Sequence, residues 1–574
     1  MTEAKHRLDT IRQKPSVSVL IVGGGIVGAG LFRDLALQGM DVLLVDRSDF
    51  SSGTSAAPSR MIHGGLRYLE FGEFKLVREA VRERNLLLLN APHYVRPLPT
   101  TIPLVKRWSG LGGVIRRIIH LGAGKRAAHR GSVMVKIGLT LYDLLGRKYR
   151  SMPKHSFASR KEALATRPLL NPNTIRTATY YDAWISYPER LCLELLMDGE
   201  ELCEDAKALS YVSLEGGSGD GVRLRDELSG EVLDVRPGVL VNATGAWIDL
   251  TNRLLGRDTE MIGGTKGAHL VLDNDALLEA LRGEMVYYET PDDGRVSVAL
   301  PWLGKPLIGS TDIRLDNPDQ ARCEEHEIDY MLRAIREAFP KLKVDRSQIL
   351  STFSGVRPLG RSGDSATVTL SRAHQCRVIE PGDGIRFPAY CMVGGKWTPF
   401  REFGKQVTDM LLAHFGRKRR AGTEDLPIGG GKGYPGTDEA RDRWLNGLGE
   451  RTGLDRQRLA MLLERYGTRA EQVAAFCAEG PEGPLRHHET YTRREIEFIV
   501  RNERVIHLDD VVLRRTAMAL LGELTGDLLD ELAEIAAAVL GWSPDQIGEE
   551  VERARRILVD RHRIDLRSRS AGDA

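Results

Sequence analysis

Residues 17–28 read VSVLIVGGGIVG, and the fold turns on this stretch. Val17 to Val22 is an apolar run of strand length, Gly23-Gly24-Gly25-Ile26-Val27-Gly28 supplies a turn, and Ala29 to Gln38 carries a helical pattern. A second apolar run, Val42 to Val45, ends at Asp46. Strand, glycine turn, helix, strand and acid in that order form a dinucleotide-binding fingerprint. Gly23 permits the tight turn, Gly25 lets backbone approach a pyrophosphate, and Gly28 lets the helix lie close to the sheet. The N–H groups at the helix start suit a pyrophosphate, and Asp46 is placed to accept from ribose hydroxyls. By itself the fingerprint does not separate NAD from FAD.

Further along, His63-Gly64-Gly65-Leu66-Arg67-Tyr68-Leu69-Glu70 is a second glycine turn with cations beside it, as expected of backbone folded around a cofactor and an anionic substrate. Thr54-Ser55 precedes it. Asn242-Ala243-Thr244-Gly245-Ala246-Trp247, Lys266-Gly267-Ala268-His269, Pro301-Trp302 and Gly309-Ser310-Thr311-Asp312 follow. Then come Ser354-Gly355-Val356-Arg357-Pro358-Leu359, Ser371-Arg372 and Gly394-Gly395-Lys396-Trp397-Thr398. In this order, along nearly the whole chain, the series resembles the FAD-dependent glycerol-3-phosphate dehydrogenases of the respiratory, quinone-linked kind.

That resemblance implies an α/β fold: a Rossmann-like FAD-binding domain interleaved with an α+β substrate cap, plus a C-terminal helical domain. The implied FAD-binding pieces are 1–100, 200–255 and 350–424. The cap takes 101–199 and 256–349, and the helical domain 425–574. It implies oxidation of sn-glycerol 3-phosphate to dihydroxyacetone phosphate, with FAD accepting the hydride and electrons passing to quinone. FAD contacts are expected from Gly23, Gly25, Gly28, Asp46, Thr54, Ser55, His63, Gly64, Gly65, Leu66, Ala243, Gly245, Gly395 and Thr398. Arg67 and Arg357 are expected to hold the phosphate, since an arginine fork stays charged and matches phosphate oxygens bidentately, with Arg372 as a third cation and Tyr68 closing the pocket. His269 is the expected general base. Lys396 is expected to serve substrate and catalysis, where the Gly-Gly-Lys turn opens into a helix over Trp397 to Gln406 whose start favours negative charge on the flavin. Pro399 suits the first turn of such a helix.

The chain departs from the family pattern in places. Pro399-Phe400 stands where a second threonine and an aromatic are usual, and Ser55-Ala56-Ala57-Pro58-Ser59-Arg60 replaces a loop richer in serine. After Tyr181-Asp182-Ala183-Trp184 the usual acids give way to Ser186-Tyr187-Pro188-Glu189. These changes bear on which polyol phosphate is oxidised. A tetritol phosphate, oxygen in place of quinone, and a non-catalytic flavin-binding redox sensor are the competing readings. The retained Arg67, His269, Arg357 and Lys396 argue against the sensor.

With 574 residues the chain exceeds one compact core, so two or three domains are expected. The net charge of +2 gives no general attraction to nucleic acid, and six scattered cysteines without a Cys-x-x-Cys pair predict neither disulfides nor a metal site. The polar Met1 to Pro15 does not read as a signal peptide, and no apolar run is long enough to span a bilayer. Between Val105 and Lys154, however, twelve Lys and Arg face one acid, Asp143. Val114, Ile115, Ile118 and Ile119 would share a helix face there, beside Arg116 and Arg117. Such a helix suits an anionic lipid surface, which predicts peripheral attachment on the cytoplasmic side of the membrane. No nucleic-acid motif accompanies the basic run. A homodimer stays open.

Smaller readings complete the set. Gly216-Gly217-Ser218-Gly219 is expected to turn a hairpin, and Gly429 to Gly433, ahead of the C-terminal helices, to be a linker; a phosphate loop fails there, since no strand precedes it and no Ser or Thr follows Lys432. Thr492 and Glu495 have the spacing of a capping box.

Overall fold

The apolar run at Val17–Val22 becomes the strand Ser16–Val22, with parallel neighbours on both sides: Val42–Val45 and the C-terminal half of Val232–Asn242. The structure, a computed structural model, describes residues 8–66, 69, 73–105, 132–145, 152–290, 293–361 and 374–566. Val19, Leu20 and Ile21 are fully buried, as a strand covered on both faces must be, which explains an unbroken apolar run rather than an alternating one. Ala206–Leu209 extends the sheet beyond Val42–Val45, and Ala389–Val393 with Gln375–Ile379 extends it on the other side. The helix Ile26–Leu37 covers one face between Pro188–Leu202 and Phe400–His414. Small residues make these crossings: a Cβ at Gly30 would lie 2.5 Å from the Phe400 ring, and one at Gly199 would lie 2.5 Å from the Phe32 ring.

A second, larger sheet runs in the order Ile313–Arg314, Thr265–Leu272, Lys305–Gly309, Val296–Trp302, Met285–Glu289, Val95–Leu104, Arg176–Ile185, Met61–Ile62. Ile349–Arg357 pairs along Thr265–Leu272, and Ser156–Ser159 along Arg176–Ile185. Alternation divides its side chains between two cores. Leu270 and Leu272 face Ile328, Met331 and Ile335, while Val271 and Phe353 join Leu508, Val512 and Leu532 of the C-terminal domain. The helical domain therefore covers part of one face of this sheet, beside the residues that line the cavity. Besides the short edge strand Met61–Ile62, two strands fall outside the segments expected for them. Val95–Leu104 runs antiparallel to Arg176–Ile185 for its full length, and Ile349–Arg357 follows Thr265–Leu272, so both belong to the second sheet.

Three local readings are corrected. The hairpin turns at Gly219 and Asp220, because Gly216 and Gly217 are strand residues paired with Arg223 and Val222 across a register shift. Gly429–Gly431 is a packed turn and not a linker: a Cβ at Gly430 would lie 1.9 Å from the Tyr466 carbonyl, and one at Gly431 would lie 2.3 Å from that of Asn90. Thr492 does cap the helix Arg493–Asn502 by accepting from Glu495 N–H, yet the Glu495 carboxylate takes Arg458, Arg465 and Tyr466 instead of returning to Thr492. Charge-assisted bonds to two arginines, with the Tyr466 hydroxyl, occupy that carboxylate.

Candidate active site

The carboxyl ends of Ser16–Val22, Val42–Val45 and Val232–Asn242 open into a cavity of about 940 Å³ that the second sheet and the C-terminal domain wall on the other sides. Such a crevice at the ends of parallel strands is where open α/β sheets bind ligands, and the volume is at the top of the roughly 300–1,000 Å³ usual for small-molecule sites. Gly23 and Gly25 form its floor. Gly23 has φ +112°, and a Cβ there would lie 2.7 Å from the Ala243 carbonyl. Gly28 stands back from the cavity and lets helix meet strand, since a Cβ would come within 1.9 Å of the Gly23 carbonyl.

At the edge of the floor, Gly24 N–H donates to Asp46 Oδ2 at 2.7 Å and Ser48 N–H to Oδ1 at 3.0 Å. Burial pushes the Asp46 carboxyl up to about 6 against the pull of those two N–H groups. The first helical donor, Ile26 N–H, is taken by Ser55 Oγ at 2.9 Å, so Ser55 sits at the helix start with its own O–H left to donate. Thr54 donates to the Val356 carbonyl at 2.9 Å, tying this loop to the second sheet. Ala243, Gly245, Gly395 and Thr398 also line the cavity. A glycine floor, a helix start and an acid at the strand end fit the diphosphate and ribose of FAD.

On the opposite wall, His269 and Arg357 come from paired strands. The His269 ring stacks on Phe353 with centroids 5.0 Å apart, and Nε2 lies 3.0 Å from Ser59 Oγ. Burial, then Arg357 and Arg60, depress its pKa to about 3, a far larger shift than the small tuning expected of a histidine base. The Arg357 guanidinium lies over Gly267, where a Cβ would come 2.3 Å from Nη2. Asp312 at 3.2 Å and Ser310 Oγ at 2.9 Å hold it there. Lys396 lines the cavity, but the helix after it begins only at Phe400 with Pro399 as N-cap, so the Gly-Gly-Lys turn is an approach to the helix and not its first turn. Trp397 turns its indole N–H onto the Ser55 carbonyl at 3.2 Å.

The second glycine turn behaves differently from its reading. His63 lines the cavity, but Gly64 donates to Asp182 Oδ1 at 2.9 Å and a Cβ on it would lie 2.0 Å from Tyr142 Oη. Leu66 packs with Leu69 and Leu76, and Gly65, with φ +75°, makes the bend between Gly64 and Leu66. Arg67, Tyr68 and Arg372 lie outside the described residues, as does the stretch Val114 to Ile119.

Several contacts around the cavity were not predicted from the sequence. Ser59 meets His269, and Trp247 donates to Asp319 at 2.8 Å beneath Arg47. The C-terminal domain contributes Arg514, Arg553, Arg561 and His562 to the wall. Arg514 and Arg515 both grip the buried Asp49, the latter through two bonds of 2.6 and 2.9 Å, and so fix the loop that follows Asp46.

Comparison with known proteins agrees with this geometry. Residues 18–379 match the FAD dependent oxidoreductase family, and 421–547 match the C-terminal domain of alpha-glycerophosphate oxidase. A glycerol-3-phosphate dehydrogenase of Synechocystis sp. is 31% identical over 94% of this chain and 96% of its own. An aerobic glycerol-3-phosphate dehydrogenase of Staphylococcus haemolyticus is 28% identical over 94% and 93%. The X-ray structure of the Bacillus halodurans glycerol-3-phosphate dehydrogenase complexed with FAD superposes with a TM-score of 0.75 at 22% identity, covering 99% of each chain. With its glycine floor, its two interleaved sheets and its helical C-terminal domain, the chain belongs to the FAD-dependent glycerol-3-phosphate dehydrogenase family.

Proposed function

We propose that this chain oxidises sn-glycerol 3-phosphate to dihydroxyacetone phosphate and delivers the electrons to quinone. The observation that supports it most is the meeting of His269 and Arg357 on the wall opposite the glycine floor, within one cavity. Bound there, FAD supplies a two-electron acceptor. Arg357, pinned by Asp312 and Ser310, presents a fixed cation to a phosphate and loses little freedom on binding. His269 is neutral at working pH and so has a lone pair for the hydroxyl proton. Phosphate binding beside Arg357 offsets the positive field that holds the His269 pKa down, so the base strengthens when substrate is in place. A steady-state assay of the purified protein with a panel of polyol phosphates and a soluble quinone tests this. A kcat/KM for a four-carbon polyol phosphate well above that for glycerol 3-phosphate overturns the substrate, and faster turnover with oxygen than with quinone overturns the acceptor.

Peripheral attachment to an anionic membrane belongs to the same reading, because quinone resides in the bilayer. No helix among the described residues is long and apolar enough to cross a membrane. The helix Ser132–Leu145, within the basic stretch, exposes Ile137 at 48% and Leu144 at 61%. Sedimentation with anionic vesicles, weakened but not abolished by salt, is the expected result. Equal binding after neutralising Arg116, Arg117, Lys125 and Arg126 returns the stretch to a solvated surface.

A further inference from the structure

Lys266, from the motif that carries His269, has no place in the reaction described above. On the strand Thr265–Leu272, Gly267 and His269 line the cavity, so Lys266 turns to the other face, where Ala268 and Leu270 pack on the helix Glu325–Ala338. There its ammonium lies 2.7 Å from the Glu327 carboxylate and donates to the Arg322 carbonyl at 2.8 Å. Both side chains are buried, Glu327 completely. Such a pair often adds no stability over apolar side chains of similar volume, so stability alone does not account for it.

Glu327 holds Thr311. The Thr311 hydroxyl donates to Glu327 Oε1 at 2.6 Å and accepts from the Ala268 N–H at 2.9 Å. A carboxylate only accepts and an amide N–H only donates, so the hydroxyl has one orientation. Glu327 Oε2 is taken by Lys266 and by the Glu324 N–H at 2.9 Å, so the carboxylate is fixed at both oxygens.

On the cavity side, the three residues centred on Thr311 grip one guanidinium. Arg357 Nη2 donates to Ser310 Oγ at 2.9 Å and to the Thr311 carbonyl at 3.2 Å, and Nη1 donates to Asp312 Oδ1 at 3.2 Å. Charge-assisted bonds are usually about 2.7–2.9 Å long. With two of its three bonds longer than that, the direction of the arginine fork depends on where residues 310–312 stand.

We propose that Thr311 is a positioning residue for Arg357: locked from behind by Glu327 and Lys266, it sets the backbone whose acceptors aim the guanidinium into the cavity. The proposal rests on the reading of Arg357 as the cation that meets the substrate phosphate.

Steady-state kinetics of the FAD-loaded protein with glycerol 3-phosphate test it. Thr311→Val keeps the side-chain shape and loses both hydroxyl bonds. It should raise KM roughly tenfold with kcat little changed, the mark of a misaimed binding group. Thr311→Ser, which keeps the hydroxyl, should restore KM toward that of wild type. In an Arg357→Ala background, adding Thr311→Val should lower kcat/KM no further, because Thr311 acts through Arg357. An equal loss in both backgrounds, or an unchanged KM in Thr311→Val, overturns the proposal while leaving Arg357 as the phosphate's partner. Near-normal kinetics in Arg357→Ala alone sink that underlying reading, and the proposal with it. Glu327→Gln removes the charge that Thr311 and Lys266 share, so it should raise KM less and with the same dependence on Arg357. That variant decides the matter where Thr311→Val does not fold.

Discussion

The two walls of the cavity are made of different material. The floor from Gly23 to Gly28 is backbone, shaped by the absence of side chains, and its tolerances are contacts of 1.9 to 2.9 Å that a single Cβ would meet. The opposite wall is side chains on a rigid sheet: His269 stacked on Phe353, and Arg357 braced by Asp312 and Ser310. A backbone wall of this kind suits a diphosphate, which N–H groups at a helix start bind without side chains. A side-chain wall can be retuned residue by residue, and on the function proposed above it would select the substrate. Substitutions in the floor should therefore remove the cofactor, whereas substitutions in the facing wall should spare it and remove turnover.

The strongest test is Gly28→Ala. Its Cβ has no room against the Gly23 carbonyl, and the overpacking should cost roughly 3 kcal/mol or more. The expected result is protein with little bound flavin, read from the ratio of visible to ultraviolet absorbance. A variant that stays fully yellow and equally stable breaks the contrast. Next, His269→Gln should lower kcat by about 10²–10⁴-fold with flavin content unchanged. Because the folded pKa of His269 is depressed to about 3, the histidine is already neutral above that value and should add no acid limb near pH 6.5 to kcat/KM. A limb near 6.5 that His269→Gln abolishes would contradict the environment described for it. Arg357→Ala should lower kcat/KM roughly a hundredfold or more, the scale of about 2–5 kcal/mol for truncating one partner of a charge pair that a bound phosphate would desolvate. Near-normal kinetics would reduce Arg357 to a structural partner of Asp312.

The smallest effect concerns Asp46, which belongs to the backbone wall but acts through a side chain. Its carboxyl is raised to about 6 in the cofactor-free protein, so below that pH it binds a proton that accepting from ribose hydroxyls would displace. FAD affinity should be flat above pH 7 and weaken as pH falls through 6, by at most tenfold per pH unit. Asp46→Asn should remove the slope. A slope that persists in the variant assigns the linkage to another group.

The floor was legible because its requirements are local: a turn, a helix and a strand lie within thirty residues, and each glycine's role follows from its neighbours in sequence. His269 and Arg357 were legible only as parts of longer motifs. Their partner Ser59, and the field that depresses His269, depend on strand pairing between distant segments. Gly64 and Gly430 mark the limit of pattern reading. Both look like turn or linker glycines, yet their absent Cβ atoms make room for Tyr142 and Tyr466, residues remote in sequence. Nothing in the local sequence of Arg514, Arg553 or Arg561 signals a cavity, because they reach it through the packing of a whole domain.

Those last arginines give the molecule an order of assembly. Asp49 follows Asp46 by three residues and leaves the ribosome among the first, but its two arginine partners are made more than four hundred residues later. A nascent chain can fold its glycine turn long before it can fix the adjoining loop or close the cavity wall with Arg553 and Arg561. Firm capture of FAD should therefore be a late event in biosynthesis, completed only once the C-terminal helices have been released, so that the flavin seals a finished chain and does not template a growing one.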